Sequence, residues 1–155
     1  MPAFSSEDEP IPECLERWIG NLLYWVSSLG AQYYAQVVAQ LGLTPSQIAV
    51  LQVLDGEGVM RQARLTDRTR IGKATMVSLL NDLEEQELIE RRASPSDGRA
   101  FDIHLTKRGT EQVRQAERVS QDAEDQFYGV LSTQERQTLR VLLSRLVTRT
   151  SEDEA

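Results

Sequence analysis

Closely spaced arginine and lysine side chains are the clearest candidates for chemistry in this sequence, because such a run can bind the phosphates of a nucleic acid. We call residues 61–73 the basic segment; its cations are Arg61, Arg64, Arg68, Arg70 and Lys73. Asp67 is its one acidic residue, although the whole chain has a formal net charge of −7. A positive patch on an acidic protein is typical of a local DNA-contacting surface. The alternative is an ordinary solvated helix face, and charge alone does not separate the two interpretations.

Other chemically active residues are too few to form a catalytic or metal site. Cys14 is the only cysteine and His104 the only histidine, which excludes an internal disulfide and a zinc site. The sequence contains no glycine-rich phosphate loop and no plausible Ser/His/Asp set. We therefore expect no enzymatic activity, no catalytic residue, no metal and no cofactor.

Length and composition indicate one globular domain. The chain has 155 residues, of which 40% are hydrophobic and 26% charged. The first ten residues, MPAFSSEDEP, carry acids where a secretion signal has basic residues followed by an apolar run. Charged or amide residues interrupt every apolar stretch before it is long enough to cross a bilayer. We expect a cytoplasmic protein.

The basic segment belongs to a predicted pair of short helices. The first spans about residues 61–69 and the second about residues 73–86, with a turn at residues 70–72 between them. The apolar face of the second helix is formed by Met76, Leu79, Leu80 and Leu83. Its opposite face presents Lys73, Ala74, Val77, Ser78 and Asn81. Two short helices joined by a tight turn predict a helix-turn-helix, whose second helix enters the major groove of DNA.

A two-stranded hairpin is predicted directly after these helices. Residues 88–92 (LIERR) suit a short strand, and residues 94–98 (SPSDG) are dense in turn formers. Phe101, Ile103 and Leu105 alternate with polar residues, which is typical of a half-buried strand. A helix-turn-helix followed by such a hairpin, called the wing, is a winged helix.

Longer helices are predicted on both sides of the winged helix. Apolar residues recur at helical spacing over residues 15–29 and, after Gly30, over residues 33–41. We expect the helical pattern to be interrupted at Gly30 and to stop at Gly42.

Capping side chains mark the starts of three more helices. Thr44 begins a capping box with proline at the next position, and its helix is expected to end at Gly56 and Gly58. Thr106 can cap a long helix, and Ser132 begins a second capping box.

Together these elements predict a mainly α protein: a winged helix-turn-helix with a two-stranded β-wing, plus N- and C-terminal helices that form a dimerisation domain. We expect one domain over residues 1–149, with its DNA-binding lobe at about 44–106 and an acidic tail at 150–155. The dimerisation helices are expected at about 12–41 and 107–149. Their apolar stripes are too long for one small winged helix to cover, which predicts burial between two chains.

Several fragments, taken in order and spacing, resemble the MarR family of transcription factors over about residues 12–149. They are LTPSQ at 43–47, VL at 50–51, KATMV at 73–77, LE at 83–84, LIERR at 88–92, SPSDGR at 94–99 and LTKRG at 105–109. The resemblance implies a homodimer that presents two winged helices to a pseudo-palindromic operator in double-stranded DNA. It also implies a repressor that a small molecule releases.

Three residues depart from the family pattern. Arg70 stands where the family usually has glycine in the turn between the helices, and Thr66 where alanine normally packs. Ser78 occupies a position where many relatives carry arginine. If Arg70 must adopt a positive φ, the strain costs roughly 1 kcal/mol.

The residue types and the resemblance together predict the DNA contacts. Candidates on the second helix are Lys73, Ala74, Val77, Ser78 and Asn81, with Thr75 as a helix-start residue or phosphate contact. Asparagine can pair with adenine through two hydrogen bonds, and small apolar groups can touch the thymine methyl. Arg61 and Arg91 are expected to neutralise phosphates or to be ordinary surface charges. The family's wing-tip motif implies that Asp97 braces the hairpin while Arg99 reaches the minor groove.

Most of the aromatic residues lie in the first helical region. They are Trp18, Tyr24, Trp25, Tyr33 and Tyr34. At helical spacing, the core of a dimer is their default role. The alternative is that they form the wall of a pocket for a small aromatic or phenolic effector, because pockets form at such domain junctions.

Two alternative functions remain open at this point. One branch of the family senses organic hydroperoxides through a cysteine near the start of its first helix, and Cys14 has a similar location. Glu13 and Glu16 flank this cysteine and disfavour its thiolate, so we expect a semi-buried structural thiol. The other alternative is a winged-helix protein-interaction module without DNA binding, which the acidic net charge and Ser78 favour and the basic segment disfavours.

Overall fold

The computed structural model describes residues 11–94 and 97–152, apart from the side chains of residues 97–99 and 149–152. The helices within this part are α1 (Glu13–Glu16), α2 (Ile19–Ala39), α3 (Pro45–Glu57), α4 (Gln62–Thr69), α5 (Lys73–Glu85), α6 (Lys107–Phe127) and α7 (Thr133–Glu152). The strands are β1 (Met60–Arg61), β2 (Ile89–Ser94) and β3 (Asp97–Leu105). This order of elements confirms the predicted class, a mainly α winged helix-turn-helix.

Side-chain caps begin three of the helices, as predicted. The backbone N–H of Gln47 donates to Thr44 Oγ1 at 3.3 Å, and the Gln47 side chain accepts the Thr44 N–H at 2.8 Å. At α6 the N–H of Gly109 donates to Thr106 Oγ1 at 3.0 Å. Ser132 makes the same reciprocal arrangement with the third residue after it. These bonds satisfy N–H groups that a helix start leaves without partners.

The predicted interruption at Gly30 is wrong. α2 runs through it as one helix of 21 residues. A Cβ atom on Gly30 would lie 3.4 Å from two carbons of the Phe127 ring, so the glycine belongs to a close contact between α2 and α6. Gly42 does have the positive φ expected of a helix-ending residue, at 69°. α3 continues through Gly56 and ends at Gly58, where φ is 81°.

The wing is part of a three-stranded antiparallel sheet, not of a two-stranded hairpin alone. The strand order is β1-β3-β2, and Met60 and Arg61 of β1 pair with Ile103 and Asp102 of β3. A two-residue strand is too short to produce an alternating pattern, which is why the sequence did not predict it. The extra pairing attaches the start of α4 directly to the wing.

The hydrophobic core holds the helix-turn-helix against the sheet and α6. Its most deeply buried side chains are Val38, Ile48, Val50, Leu51, Leu65, Met76, Leu80, Leu83, Ile89, Ile103 and Val113. The apolar face of α5 supplies three of these residues, so the rotation of α5 about its own axis is set by core packing. Its opposite face must then point away from the core.

Large apolar side chains remain exposed at the two ends of the chain. Those of α1, α2 and the link between them are Leu15, Trp18, Ile19, Leu22, Leu23, Tyr24 and Val26. Those of α7 are Val141, Leu142, Leu143, Leu146 and Val147. Among the residues that the structure describes, no helix combines the length and apolar character needed to cross a membrane.

Candidate nucleic-acid interface

The turn between α4 and α5 is tight because Arg70 adopts a left-handed backbone. Its φ is 57° and its ψ is 20°, a conformation that costs a non-glycine residue about 1 kcal/mol. The Thr69 hydroxyl donates to the Leu65 carbonyl at 2.7 Å and accepts the Ile71 N–H at 3.4 Å. Arg70 therefore meets the condition stated from the sequence, and only three residues, 70–72, separate α4 from α5.

The outward face of α5 is open along its first nine residues. The predicted contact residues on it are all exposed: Lys73, Ala74, Thr75, Val77, Ser78 and Asn81. Val77 has 45% of its surface exposed. An exposed valine between polar side chains is suited to contact with a thymine methyl group.

Asn81 is joined to the wing by Arg91, which lies on β2. Arg91 Nη2 donates to Asn81 Oδ1 at 2.8 Å. Arg91 also forms an ion pair with Glu84, which lies one turn after Asn81 on α5. The sequence placed Arg91 among free surface or phosphate-binding cations, whereas its guanidinium is held by two side chains of α5.

Two cations of the basic segment are paired with acids outside it. Arg68 Nε lies 2.7 and 2.9 Å from the two carboxylate oxygens of Glu57. This hydrogen bond, more than the charge of Arg68, holds the pKa of Glu57 below its ordinary value. Arg61 Nε lies 3.8 Å from Asp102 Oδ1 across the β1–β3 pair. The cations of the segment that make no ion pair within the described residues are Arg64, Arg70 and Lys73.

The predicted wing-tip contacts, Asp97 and Arg99, have side chains outside the described residues, so their roles stay predictions. The backbone of both residues lies in β3. β2 pairs with β3 in register from Ile89 opposite Leu105 to Ala93 opposite Phe101, with an irregularity after Ala93. The hairpin therefore extends from the core to the position where a wing tip is expected.

A second candidate site is a cavity of about 560 Å³ between α2, α3 and α6. Aromatic and hydroxyl side chains in its wall are Tyr33, Tyr34, Ser120, Phe127 and Tyr128. The hydroxyls of Tyr34 and Ser120 are hydrogen-bonded at 3.0 Å, and Tyr33 donates to Gln126 Oε1 at 2.6 Å. Glu117 and Glu124 also line it, and no basic residue of the described part of the chain does.

The cavity includes only two of the five aromatic residues proposed as its wall. Tyr33 and Tyr34 line it, but Trp18, Tyr24 and Trp25 do not. Trp18 and Tyr24 are 58% and 72% exposed and belong to the apolar surface at the start of α2. Phe127 and Tyr128, at the end of α6, supply the missing aromatic wall; their ring centroids lie 4.8 Å apart. Phe127 and Tyr128 lie more than 90 positions after Tyr33 in the sequence, so only the packing of α6 on α2 brings them beside it.

Comparison with known proteins agrees with this architecture. A model of the MarR family matches residues 41–100. A transcriptional regulatory protein for the hcr operon of Thauera aromatica is 32% identical over 124 residues, which are 80% of this chain and 75% of that relative. The chain belongs to the MarR family. It is a DNA-binding transcriptional regulator, as the sequence predicted.

Two solved structures support the same fold for this MarR-family chain. The transcriptional repressor CouR, bound to a 23-mer DNA duplex, is similar with a TM-score of 0.82 and 26% identity, over 90% of this chain and 99% of that one. A MarR family protein of Mycobacterium tuberculosis, in complex with p-aminosalicylic acid, has a TM-score of 0.71 and 25% identity. That match covers 83% of this chain and 98% of the other.

The cysteine of this MarR-family chain is exposed, so the expectation of a semi-buried thiol is wrong. Cys14 lies in α1, a helix of four residues that contains no buried side chain. α1 is too short to bury one face, so the exposure of Cys14 follows from the length of the helix.

Proposed function

We propose that this MarR-family chain is a homodimeric repressor that binds a pseudo-palindromic operator and is released by a small aromatic effector. The observation that carries the proposal is the exposed outward face of α5, held by the core beside a wing and a basic turn. We assign base or phosphate contacts on that helix to Lys73, Ala74, Thr75, Val77, Ser78 and Asn81. Arg61 is assigned to a DNA phosphate and Arg99 to the minor groove, with Asp97 bracing the wing. Arg91 is expected to act through Asn81, because its guanidinium is held by Asn81 and Glu84. The DNA-binding lobe spans about residues 44–106.

The exposed apolar side chains at both chain ends support the homodimer. Those of α2 and α7 form two stripes that a single chain leaves in water, and monomeric proteins rarely expose apolar patches of that extent. A two-fold interface built from residues of about 12–41 and 107–149 would bury both stripes in each chain. The winged helices would then be presented as a pair. We place the protein in the cytoplasm, where operator DNA is reached.

The cavity beside Tyr33 supports release by a small molecule. It lies between α2 and α6, which we assign to the dimer, and α3, which leads into the DNA-binding lobe. The solved relative from Mycobacterium tuberculosis binds p-aminosalicylic acid, an aromatic compound. Here Glu117 and Glu124 line the cavity without a basic residue among the described lining residues. Arg140 lies 4.0 Å from Glu124, but Glu117 has no ion pair within the described residues, so a carboxylate ligand would be repelled. We therefore propose a neutral phenol, whose hydroxyl group can donate to a carboxylate.

The proposal is tested first with DNA. Sites selected from a random duplex pool should share a two-fold-related sequence, and binding should fall steeply with salt because phosphate contacts release counterions. Lys73→Ala should weaken binding and reduce the salt slope by about one. Arg118→Ala, which removes an exposed cation from α6, is the matched control and should change neither quantity.

A second candidate function is a winged-helix protein-interaction module. The pairing of Arg68 with Glu57 and of Arg91 with Glu84 favours it, because these pairs leave less free positive charge for DNA. Selection of no sequence from the pool, together with equal weak binding by the wild type and Lys73→Ala, would support this module.

The effector is tested separately from the operator. A neutral phenol, such as 4-hydroxybenzamide, should displace DNA at a lower concentration than 4-hydroxybenzoate, which has the same ring and hydroxyl. Glu124→Gln should reduce the difference between the displacing concentrations of the two compounds, since it removes one of the two carboxylates that line the cavity. Equal displacement by the two compounds in the wild type would contradict the proposed effector class without affecting operator binding.

A further inference from the structure

We propose that Arg91 and Glu84 are positioning residues for Asn81, and that Asn81 therefore contacts its base as a hydrogen-bond donor. This inference rests on the proposed function, in which α5 binds the major groove. It replaces our expectation from the sequence that Asn81 pairs with adenine through both ends of its amide.

Glu84 holds Arg91 at two points. Its Oε1 accepts the backbone N–H of Arg91 at 3.1 Å, and its Oε2 accepts from the guanidinium. Arg91 has only 22% of its side chain exposed, so it is packed between the wing and α5. Attachment through both backbone and side chain fixes where the guanidinium lies and therefore what it faces.

The second guanidinium nitrogen fixes the orientation of the Asn81 amide. Arg91 Nη2 lies 2.8 Å from the Asn81 side chain, and a guanidinium can only donate hydrogen bonds. The atom of Asn81 that faces Arg91 is consequently the carbonyl oxygen, Oδ1. The amide nitrogen, Nδ2, points the other way with its two N–H donors available, and Asn81 is exposed to solvent.

This orientation selects the bases that Asn81 can contact. Pairing with adenine requires Oδ1 to accept from N6 while Nδ2 donates to N7, so both ends of the amide must face the base. With Oδ1 turned toward Arg91, only donation remains. The acceptors available in the major groove are guanine O6 and N7, thymine O4 and adenine N7. Guanine, with two adjacent acceptors, and thymine are therefore favoured over adenine.

The same geometry removes Arg91 from the set of strong phosphate contacts. Its charge is neutralised by Glu84, so the pair contributes little to counterion release. A phosphate contact and a positioning role thus predict different results. Loss of a phosphate contact weakens binding to all sequences and reduces the salt slope, whereas loss of positioning changes base preference at one position.

The experiment selects operator sites from a random duplex pool with the full chain and its variants. Asn81→Ala first identifies the base pair whose preference depends on Asn81. In the wild type, the base of that pair that Asn81 contacts should be guanine or thymine. Arg91→Met keeps the stem of the side chain but removes its donors, and should raise the relative preference for adenine about fivefold or more. Preferences at other positions and the salt slope should stay unchanged.

Three further variants, one of them a control, separate positioning from a general structural effect. Arg91→Lys keeps a cationic donor group and should retain most of the wild-type preference, while Glu84→Gln should shift it in the same direction as Arg91→Met. Arg92→Met, at the next residue on β2, is the matched control and should leave the preference at the Asn81 pair unaltered. If Arg91→Met does not fold, Glu84→Gln still decides between the outcomes.

Three results would overturn the inference. Wild-type preference for adenine at the Asn81 pair would show that both ends of the amide face the base. A uniform loss of affinity in Arg91→Met, with the salt slope lower by about one, would make Arg91 a phosphate contact. Unchanged base preference in Asn81→Ala would remove Asn81 from base recognition. By contrast, absence of duplex binding in the wild type would overturn the proposed function, and this inference with it.

Discussion

Gly109, in the first turn of α6, lies directly against the backbone of Leu88, at the start of the wing. A Cβ atom on Gly109 would be 2.1 Å from the Leu88 carbonyl oxygen and 2.7 Å from Leu105 Cδ1. The same Leu88 oxygen accepts the Thr106 N–H at 3.1 Å, and the Thr106 hydroxyl donates to the neighbouring Glu87 carbonyl at 2.8 Å. The start of α6 is thus fastened to the wing by contacts that leave no room for a side chain at residue 109.

Gly109→Ala should lower the free energy of unfolding by at least about 1–3 kcal/mol, because the methyl group would overlap backbone that is itself hydrogen-bonded. Denaturation with urea measures the change. Gly56→Ala is the matched control: nothing lies within 4 Å of its Cβ position inside α3, so alanine should stabilise the helix by about 0.5–1 kcal/mol. Equal effects of the two substitutions would show that α6 can move away from Leu88.

Arg70→Gly should raise the free energy of unfolding by up to about 1 kcal/mol, because glycine adopts the left-handed backbone at Arg70 without steric cost. Arg70→Ala removes the same charge but keeps the unfavourable φ, and should show no such gain. Thermal unfolding of the two variants isolates the backbone contribution. A melting temperature for Arg70→Gly at or below that of Arg70→Ala would mean that the turn is not strained.

Acidification should weaken the contact between α6 and α7. Hydrogen bonds from Arg136 and then from Gln121, together with the charge of Arg136, lower the pKa of Asp125. A carboxyl whose pKa is lower when folded stabilises the protein above its unfolded pKa of about 3.9 and loses this contribution as the pH falls through the folded pKa.

Between about pH 5 and pH 3, the free energy of unfolding should therefore fall less for Asp125→Asn than for the wild type. Urea denaturation at a series of pH values measures this difference. The control is Asp122→Asn, one turn earlier on α6, where the described residues provide no ion pair. This variant should retain the acid response of the wild type. Identical acid responses in Asp125→Asn and the wild type would contradict the assignment.

The wing arginine should contribute affinity without much sequence preference. Arg99→Ala is expected to weaken binding to operator and to unrelated DNA alike, by about 1–3 kcal/mol, and to reduce the salt slope by about one. Asp97→Ala removes a negative charge, so charge alone predicts tighter binding, but loss of a brace predicts weaker binding. We expect weaker binding, because an unbraced hairpin must become ordered on the DNA. Tighter binding by Asp97→Ala with no effect of Arg99→Ala would show that the wing does not contact DNA.

Cys14→Ser should leave any release of DNA by organic hydroperoxide unchanged. Cys14 is exposed in a four-residue helix, between Glu13 and Glu16, and no hydrogen bond to its thiol is present within the described residues. DNA binding before and after addition of cumene hydroperoxide measures the response. A response present in the wild type and absent in Cys14→Ser would establish Cys14 as a sensor.

The local elements of the DNA-binding lobe were predictable because their signals are local. The capping box at Thr44, the apolar face of α5 and the alternation of Phe101, Ile103 and Leu105 each depend on residues a few positions apart. Helical and strand periodicity and hydrogen bonds from capping side chains act over that range. β1 escaped prediction because it is two residues long and its pairing partners lie about 40 residues later.

The site residues likewise divide into those whose position follows from local sequence and those whose position depends on packing. Sequence alone determined that Asn81 lies on the outward face of α5, because helical spacing follows from residue order. Only the tertiary structure decided that Arg91 faces it, since β2 returns past α5 after a turn whose path the sequence does not specify. Phe127 likewise joins Tyr33 in the cavity through packing of α6 on α2. The charge, hydrophobicity and spacing of residues determine which faces are buried, but contacts between distant segments depend on how whole elements pack.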